Sequence, residues 1–350
     1  MQLPPVAVTT VGSLPRPAWL AVHPDPARPN EIRFALEGPA LPEALDDASV
    51  LAIQEQEAAG LDLISDGEQR RLNFIDHMLA GMEGFDLAHL KGREIRRRAG
   101  RVRLVPTVMG KVGRHGPILV DDLRFLQART NRPVKMTVPG PMTVVDTTVD
   151  EAYGDEAALA MDYAVALNAE LLDLQAAGAD VLQIDEPAMT RHHEKVASYG
   201  AEALDRALEG ITVPTIVHLC YGYPSADPRQ HEYEYPDLLP MLMGTRIGGF
   251  SLEFARSGYD PALLKGCGDR LVMFGCVDPG NSPPEPLDLV LSRIRTALEF
   301  VEPERLLIAP DCGLVTISRD LARRKMELLV EAGRAVRDAL GAQPVDGRQV

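Results

Sequence analysis

Positive charge is the first thing this sequence lacks. Its 36 lysines and arginines stand against 51 aspartates and glutamates, a net charge of -15. Such a chain repels phosphate backbones and anionic headgroups, so neither nucleic acid nor an anionic membrane surface is an expected partner. Cysteine is scarce as well: four unevenly spaced thiols in 350 residues make no disulfide framework. No apolar run approaches the roughly 18 residues that a membrane span needs. The opening "MQLPPVAVTTVGS" has neither a basic n-region nor a long apolar stretch, so no signal peptide is expected and the cytoplasm is the default compartment. Aromatic residues make up only 5%, with a single tryptophan, Trp19. No G-x-G-x-x-G follows the first apolar run, which weakens any dinucleotide-binding reading.

What is present is an alternation of short β-branched runs with longer helical patterns. The expected strands are "VAVTTVG" from Val6, "LDLIS" from Leu61, "PVKMTV" from Pro133, "ADVLQI" from Ala179, "VPTIVHL" from Val213, "IGGFSLEF" from Ile247, "RLVMFGC" from Arg270 and "RLLIAP" from Arg305. Several are apolar almost throughout, as parallel strands covered on both faces should be. Helical patterns lie between them. One runs from Asp155 and closes at Gly178, one opens at Pro286, and one starts from a Ser318 cap. The pattern predicts an α/β fold, a (β/α)8 TIM barrel in one domain over residues 1–350, with a doubly wound open sheet as the alternative. The basic stretch "KGREIRRRAGRVRLVPTVMGKV", residues 91–112, alternates at a period of two and predicts a β-hairpin insertion around Gly100. The proline-rich segment after Pro15 is expected to be a long ordered loop.

In such a barrel, chemistry gathers at the C-terminal strand ends. Those ends carry Ser13, then Glu68, then Asp185 with Glu186, His218 with Cys220, Glu253, Cys276 with Asp278, and Cys312. Residues i and i+2 of a strand share a side, so His218 and Cys220 can grip one metal ion. Glu253 and Cys312 arrive from other strand ends. An imidazole, two thiolates and a carboxylate suit Zn²⁺ better than a hard cation. The bland alternative is a buried structural histidine with inert core thiols. Cys276 is a rival ligand, Cys267 reads as structural, and His192 and His193 read as a solvated loop, with a substrate contact as the alternative.

Seven segments in order, "TTVGSLPRP", "DGEQRR", "PGPMT", "LQIDEPAM", "HLCYG", "LEFAR" and "APDCGL", resemble the C-terminal catalytic barrel of cobalamin-independent methionine synthase. The resemblance implies a zinc enzyme that methylates the thiol of homocysteine. Its zinc ligands fall on His218, Cys220, Glu253 and Cys312, and its homocysteine contacts on Ser13, Glu68 and Asp185. Glu186 joins the substrate-side carboxylates, and Asp278 is the candidate catalytic group. Zinc would supply a nucleophilic thiolate at neutral pH without a dedicated base. The donor side departs from the family. Full-length members carry an additional N-terminal barrel and one barrel is expected in these residues, Thr147 stands near the place of a pterin-stacking tryptophan, and Pro279 and Gly280 follow Asp278 where a histidine is expected. A donor other than folate polyglutamate is therefore expected, with a methylated corrinoid protein as one possibility. Related single barrels include epoxyalkane:coenzyme M transferases. Coenzyme M has no ammonium group, so Glu68 and Asp185 together favour an amino-acid thiol. A non-catalytic zinc-binding barrel is the third reading.

Overall fold

The structure, a computed structural model, describes residues 3–22, 33–94, 102–221, 234–280 and 282–341. Its centre is a seven-stranded, wholly parallel sheet. The order across it is Ala7–Val8, Leu306–Pro310, Leu271–Val277, Gly249–Glu253, Thr215–Leu219, Val181–Asp185 and Lys135–Pro139. From Lys135–Pro139 onward, strands adjacent in the chain are adjacent in the sheet, the first strand pairs with the last, and no reversal of order occurs. A doubly wound sheet requires such a reversal, so that alternative falls.

The expected second strand, Leu61 to Ser65, is not a member of this sheet. It lies between the two edges and hydrogen-bonds to both. Asp62 and Leu63 N–H groups donate to Val8 O at 2.9 and 3.2 Å, Ile64 N–H to Pro133 O at 3.1 Å, and Lys135 N–H to Ile64 O at 2.8 Å. The Ile64–Val134 pairing is an isolated parallel bridge. The chain here is too briefly extended for a ladder, yet it satisfies the edge groups that would otherwise be open.

Strand alternation divides the apolar residues. Val8, Leu182, Ile184, Val217, Val272 and Ile308 join the large core between sheet and helices. Ala7, Leu63, Val181, Ile216, Met273 and Leu307 form a small separate cluster on the other face. Nearer the C-terminal ends that second face turns polar and still stays buried, with Thr137, Gln183, Asp185, His218, Ser251 and Glu253.

The expected helices form. Glu156–Ala176 is capped by Asp155, whose side chain accepts from Ala157 and Ala158 N–H, a cap worth about 1 kcal/mol. Leu287–Ala297 follows Pro286 directly, and Arg319–Leu340 starts from Ser318, whose hydroxyl accepts from Leu321 N–H. Among the described residues no helix is long and apolar enough to cross a membrane.

Two antiparallel strands, Met82–Glu94 and Val102–Arg114, make a ribbon. It starts nine residues before the expected Lys91 (91 - 82 = 9), and its expected tip at Gly100 lies outside the described residues. Register shifts between Glu83 and Phe85 and between Asp86 and Lys91 interrupt its alternation. The ribbon is fastened to the sheet's C-terminal rim by Arg93, which donates to Val145 O at 2.9 Å and to Thr148 O. Of the expected proline-rich loop, the described part contains a short pairing of Ala21–Val22 with Arg33–Phe34.

Candidate functional site

The Thr215–Leu219 strand is buried at every position. Its period of two points His218 and Cys220 into the polar face. Cys312 reaches the same place from just beyond the Leu306–Pro310 strand. The ligand atoms of His218, Cys220 and Cys312 all lie within 4.8 Å of one another. Register sets Ser251 beside His218, and Ser251 Oγ lies 2.8 Å from His218 Nδ1. With Nδ1–H donating to that hydroxyl, Nε2 presents its lone pair. Nε2 is buried and has no hydrogen-bond partner. An orphaned imidazole nitrogen facing two thiols, its other nitrogen oriented by an outer partner, is the arrangement of a metal-ligating histidine.

The electrostatics fit a cation at that point. Hydrogen bonding to Cys220 and burial push the Cys312 thiol well up. Burial, then the Cys220 and Asp311 charges, push Glu253 well above the usual carboxylate range. Burial lowers His218, but Cys220 and Asp185 outweigh it and raise the imidazole. The Cys312 thiol and the Glu253 carboxyl resist ionisation in this buried, acidic site and would ionise beside a metal ion, while the raised His218 favours its charged form and would give up its proton to ligate. Soft sulfur and imidazole donors suit Zn²⁺. Glu253 stays outside the three-atom cluster. Its Oε1 accepts Tyr221 N–H at 2.9 Å, and its own N–H donates to the Tyr235 hydroxyl at 3.1 Å. None of the four cysteines is in a disulfide. Cys276, the rival ligand, sits where the register shifts between Gly275 and Val277, and its side chain joins the large apolar core. Cys267 is in the same core.

A second group of side chains forms beside this cluster. Ser13 Oγ donates to Glu68 Oε2, and Thr137 Oγ1 donates to Glu68 Oε1 at 2.9 Å. Glu68 follows Gly67 (φ +63°) and itself has φ +56°, the left-handed region that costs a non-glycine residue about 1 kcal/mol or more. A Cβ on Gly12 would lie 2.4 Å from Glu68 Oε1, so only glycine lets that carboxylate approach. Asp185 Oδ1 accepts from Gln183 Nε2 at 2.7 Å, and burial lifts Asp185 to about 7 against the opposing charge of His218. Ser13 and Glu68 are thus in direct contact, and the charge of Glu68 is felt at Asp185.

Glu186 has a different setting. Its carboxylate accepts Met142 N–H at 3.0 Å, Thr143 N–H at 2.9 Å and the Thr143 hydroxyl at 2.7 Å. It braces the start of the Pro141–Asp146 helix, and its partners there are the protein's own. Asp278 accepts Gly280 N–H at 2.8 Å and Ser282 Oγ–H at 3.1 Å, and Arg256 Nη1 lies 3.4 Å away.

Sequence reasoning missed several residues. Ser251 has no signature of its own, because its role exists only through register with His218. Asp311 was placed at the last strand end beside Cys312 without a role; it accepts the N–H groups of Phe254, Ala255 and Arg256 at 3.0, 2.9 and 2.8 Å, holding the turn after Glu253. The solvated-loop expectation for His192 is overturned: His192 Nε2 lies 2.9 Å from Asp146 Oδ1, and the buried Arg191 takes the other oxygen. A buried carboxylate with a buried arginine draws the imidazole inward. His193 is only half-buried. Thr147 is buried, and Trp19 is half-exposed in a surface groove with Leu36, Ala40 and Ala44.

Residues 6–335 match the family described as the catalytic domain of cobalamin-independent synthase. The chain is 31% identical over 347 residues to a methionine synthase of Sulfurisphaera tokodaii, covering 97% of this chain and 95% of that one. It is 32% identical over 349 residues to one of Saccharolobus solfataricus, covering 97% of each. The structure of a B12-independent methionine synthase from Shewanella sp. W3-18-1 in complex with selenomethionine matches with a TM-score of 0.90 and 34% identity, covering 96% of this chain and 99% of that one. A Listeria monocytogenes structure at 20% identity and TM-score 0.71, covering 96% and 99%, shares the fold. Nothing in these likenesses supports the corrinoid-protein donor, since the family and the Shewanella enzyme are both described as independent of cobalamin.

Proposed function

The chain belongs to the family of cobalamin-independent synthase catalytic domains, and we propose that it is a cytoplasmic, zinc-dependent S-methyltransferase that makes methionine from homocysteine. The observation that carries this reading is the partnerless, buried His218 Nε2 facing the thiols of Cys220 and Cys312. These three residues would hold zinc. Glu253, whose charge is felt at Cys312, is the proposed fourth residue that would hold it. Zinc bound there would keep a thiol ionised at neutral pH.

The chain's own residues do the rest. Ser251 fixes the His218 ring, and Asp311 holds the turn that follows Glu253. Asp185 and Glu68 are proposed to receive the substrate ammonium, and the turn at Ser13 its carboxylate. The methyl carbon then bonds to the substrate sulfur, its bond to the donor breaks with that electron pair, and the donor's leaving atom takes up a proton. Asp278 is proposed as the group that handles this proton. The whole chain is proposed to act as one catalytic unit. In it Leu61 to Ile64 closes the parallel sheet into an eight-staved barrel, through its bonds to Val8 and Pro133.

Thr147 offers no aromatic surface for a pterin. Base–aromatic stacking is worth roughly 1–3 kcal/mol, so a folate donor would bind about 5- to 150-fold less tightly than it would on a ring. The test is mass detection of methionine after zinc-loaded protein meets homocysteine with methyl-tetrahydrofolate, its polyglutamate or methylcobalamin. Methionine is expected, and its absence with every donor sinks the proposal. Rapid turnover with the polyglutamate would overturn only the donor side.

A further inference from the structure

The geometry points to Lys135 as the positioning residue that holds both ends of the amino-acid pocket at once, an inference that rests on the homocysteine reading above. Lys135 begins its strand and is completely buried on the polar inner face. A lysine ammonium has three N–H donors and no acceptor. All three are used: Thr10 O at 2.6 Å, Val11 O at 3.0 Å and Gln183 Oε1 at 2.5 Å.

Those bonds diverge to the two halves of the pocket. Thr10 and Val11 lead directly through Gly12 to Ser13, on the proposed carboxylate side. Gln183 leads to Asp185, on the proposed ammonium side, because its Nε2 donates to Asp185 Oδ1 at 2.7 Å. Burial pulls the Lys135 ammonium down to about 7 while the charges of Asp185 and Glu68 hold its proton on, and in that charged form the direction of the relay follows. An ammonium can only donate, so Gln183 must turn its carbonyl toward Lys135 and its NH2 toward Asp185. Without the cation, the amide is free to flip and to present a carbonyl to a carboxylate, which would repel it. The apolar side chains at the same depth, Ala7, Val181 and Met273, show that a hydrophobe would pack there. A buried ammonium is costly, and the relay gives that cost a purpose.

The test uses zinc-loaded wild type, Gln183→Leu and Lys135→Met. Elemental analysis checks zinc, and calorimetry measures homocysteine and 4-mercaptobutanoate, the same thiol without its ammonium. Wild type should prefer homocysteine. Gln183→Leu should keep its zinc and lose homocysteine affinity by roughly 10- to 100-fold, with 4-mercaptobutanoate little changed. Lys135→Met, which also frees the Ser13 turn, should weaken both thiols. In turnover, the KM for homocysteine should rise while kcat changes little. A folded, zinc-replete Gln183→Leu with the wild-type preference overturns the inference, and this variant decides it even if Lys135→Met fails to fold. If wild type itself does not distinguish the two thiols, the amino-acid reading fails, a separate result visible before any variant is made.

Discussion

The two sides of the sheet's C-terminal rim are built by different means. On the proposed metal side, side chains mounted on buried strands address one another: His218 with Ser251 beside it on the next strand, Cys220 two residues further on, and Cys312 within reach from just beyond the last strand. On the opposite side the scaffold is a short helix, Pro141–Asp146, and a ribbon laid over it. Here side chains mostly hold backbone. Glu186 takes N–H groups of Met142 and Thr143, Tyr163 donates to Pro139 O at 2.9 Å, and Arg93 donates to Val145 O and Thr148 O. Strands fix side-chain direction by their pleat, so chemistry can be mounted on them directly. A loop-built wall must first be braced, and its residues serve shape before chemistry.

That difference predicts how each side fails. On the metal side a near-isosteric change should abolish function and spare the fold. Cys312→Ser removes one soft ligand and costs almost no packing volume. Its zinc affinity should fall by more than the roughly 10- to 100-fold typical of losing an outer-shell partner. Elemental analysis and a thermal melt, read together, check this. Full zinc occupancy in Cys312→Ser would break the assignment of the cluster.

On the braced side a comparable change should cost stability and spare zinc. Asp146 sits between Arg191 and His192. Burial alone would raise it, but the hydrogen bond from His192 and the charge of Arg191 hold it down at about 2. A folded value below the ordinary 3.8 means that the cluster stabilises the protein above pH ~4, and that this contribution fades as pH falls toward 2. Asp146→Asn leaves a buried guanidinium without its counter-charge and should destabilise by about 2–3 kcal/mol at neutral pH. The melting-temperature gap from wild type should narrow as the pH drops from about 4 to 2. A gap that stays constant over that range would show that charge is not what Asp146 contributes.

The same contrast governs what could be read without coordinates. His218 and Cys220 were legible because a two-residue period and two ligand types share one short run. Glu68, Asp185 and Cys312 stand at expected strand ends, but Glu68 and Asp185 were picked out from the other residues there only by the family resemblance. Ser251 was not, since nothing in "GFSLEF" marks a serine whose meaning comes from the register of the neighbouring strand. The ribbon was found only from Lys91 onward because the register shift between Asp86 and Lys91 destroys the alternation before it. Leu61 to Ile64 has the apolar run of a strand but pairs too briefly to be one. His192 looked solvated because a single buried partner, Asp146, is remote in sequence. The corrinoid donor was inferred from missing residues, and a missing residue restricts chemistry less than a present one does.

The smallest expected effect lies where the ribbon meets the rim. Arg93 bonds carbonyls on either side of Thr147, so it ties the ribbon to the segment nearest the proposed donor. A charge-assisted bond of this kind is worth about 1.5–3 kcal/mol in favourable settings, and Arg93 is only half-buried, so Arg93→Ala should cost about 1 kcal/mol of stability. The informative readout is local. Amide exchange should quicken in Met82–Glu94 and Val102–Arg114, while zinc content and homocysteine affinity stay as in wild type. If turnover changes, the change should appear in the KM for the methyl donor and leave that for homocysteine unaltered, because the bond braces one side of the rim only. An Arg93→Ala protein that bound homocysteine more weakly would mean that the two sides are mechanically coupled, and the separation drawn between them would have to be given up.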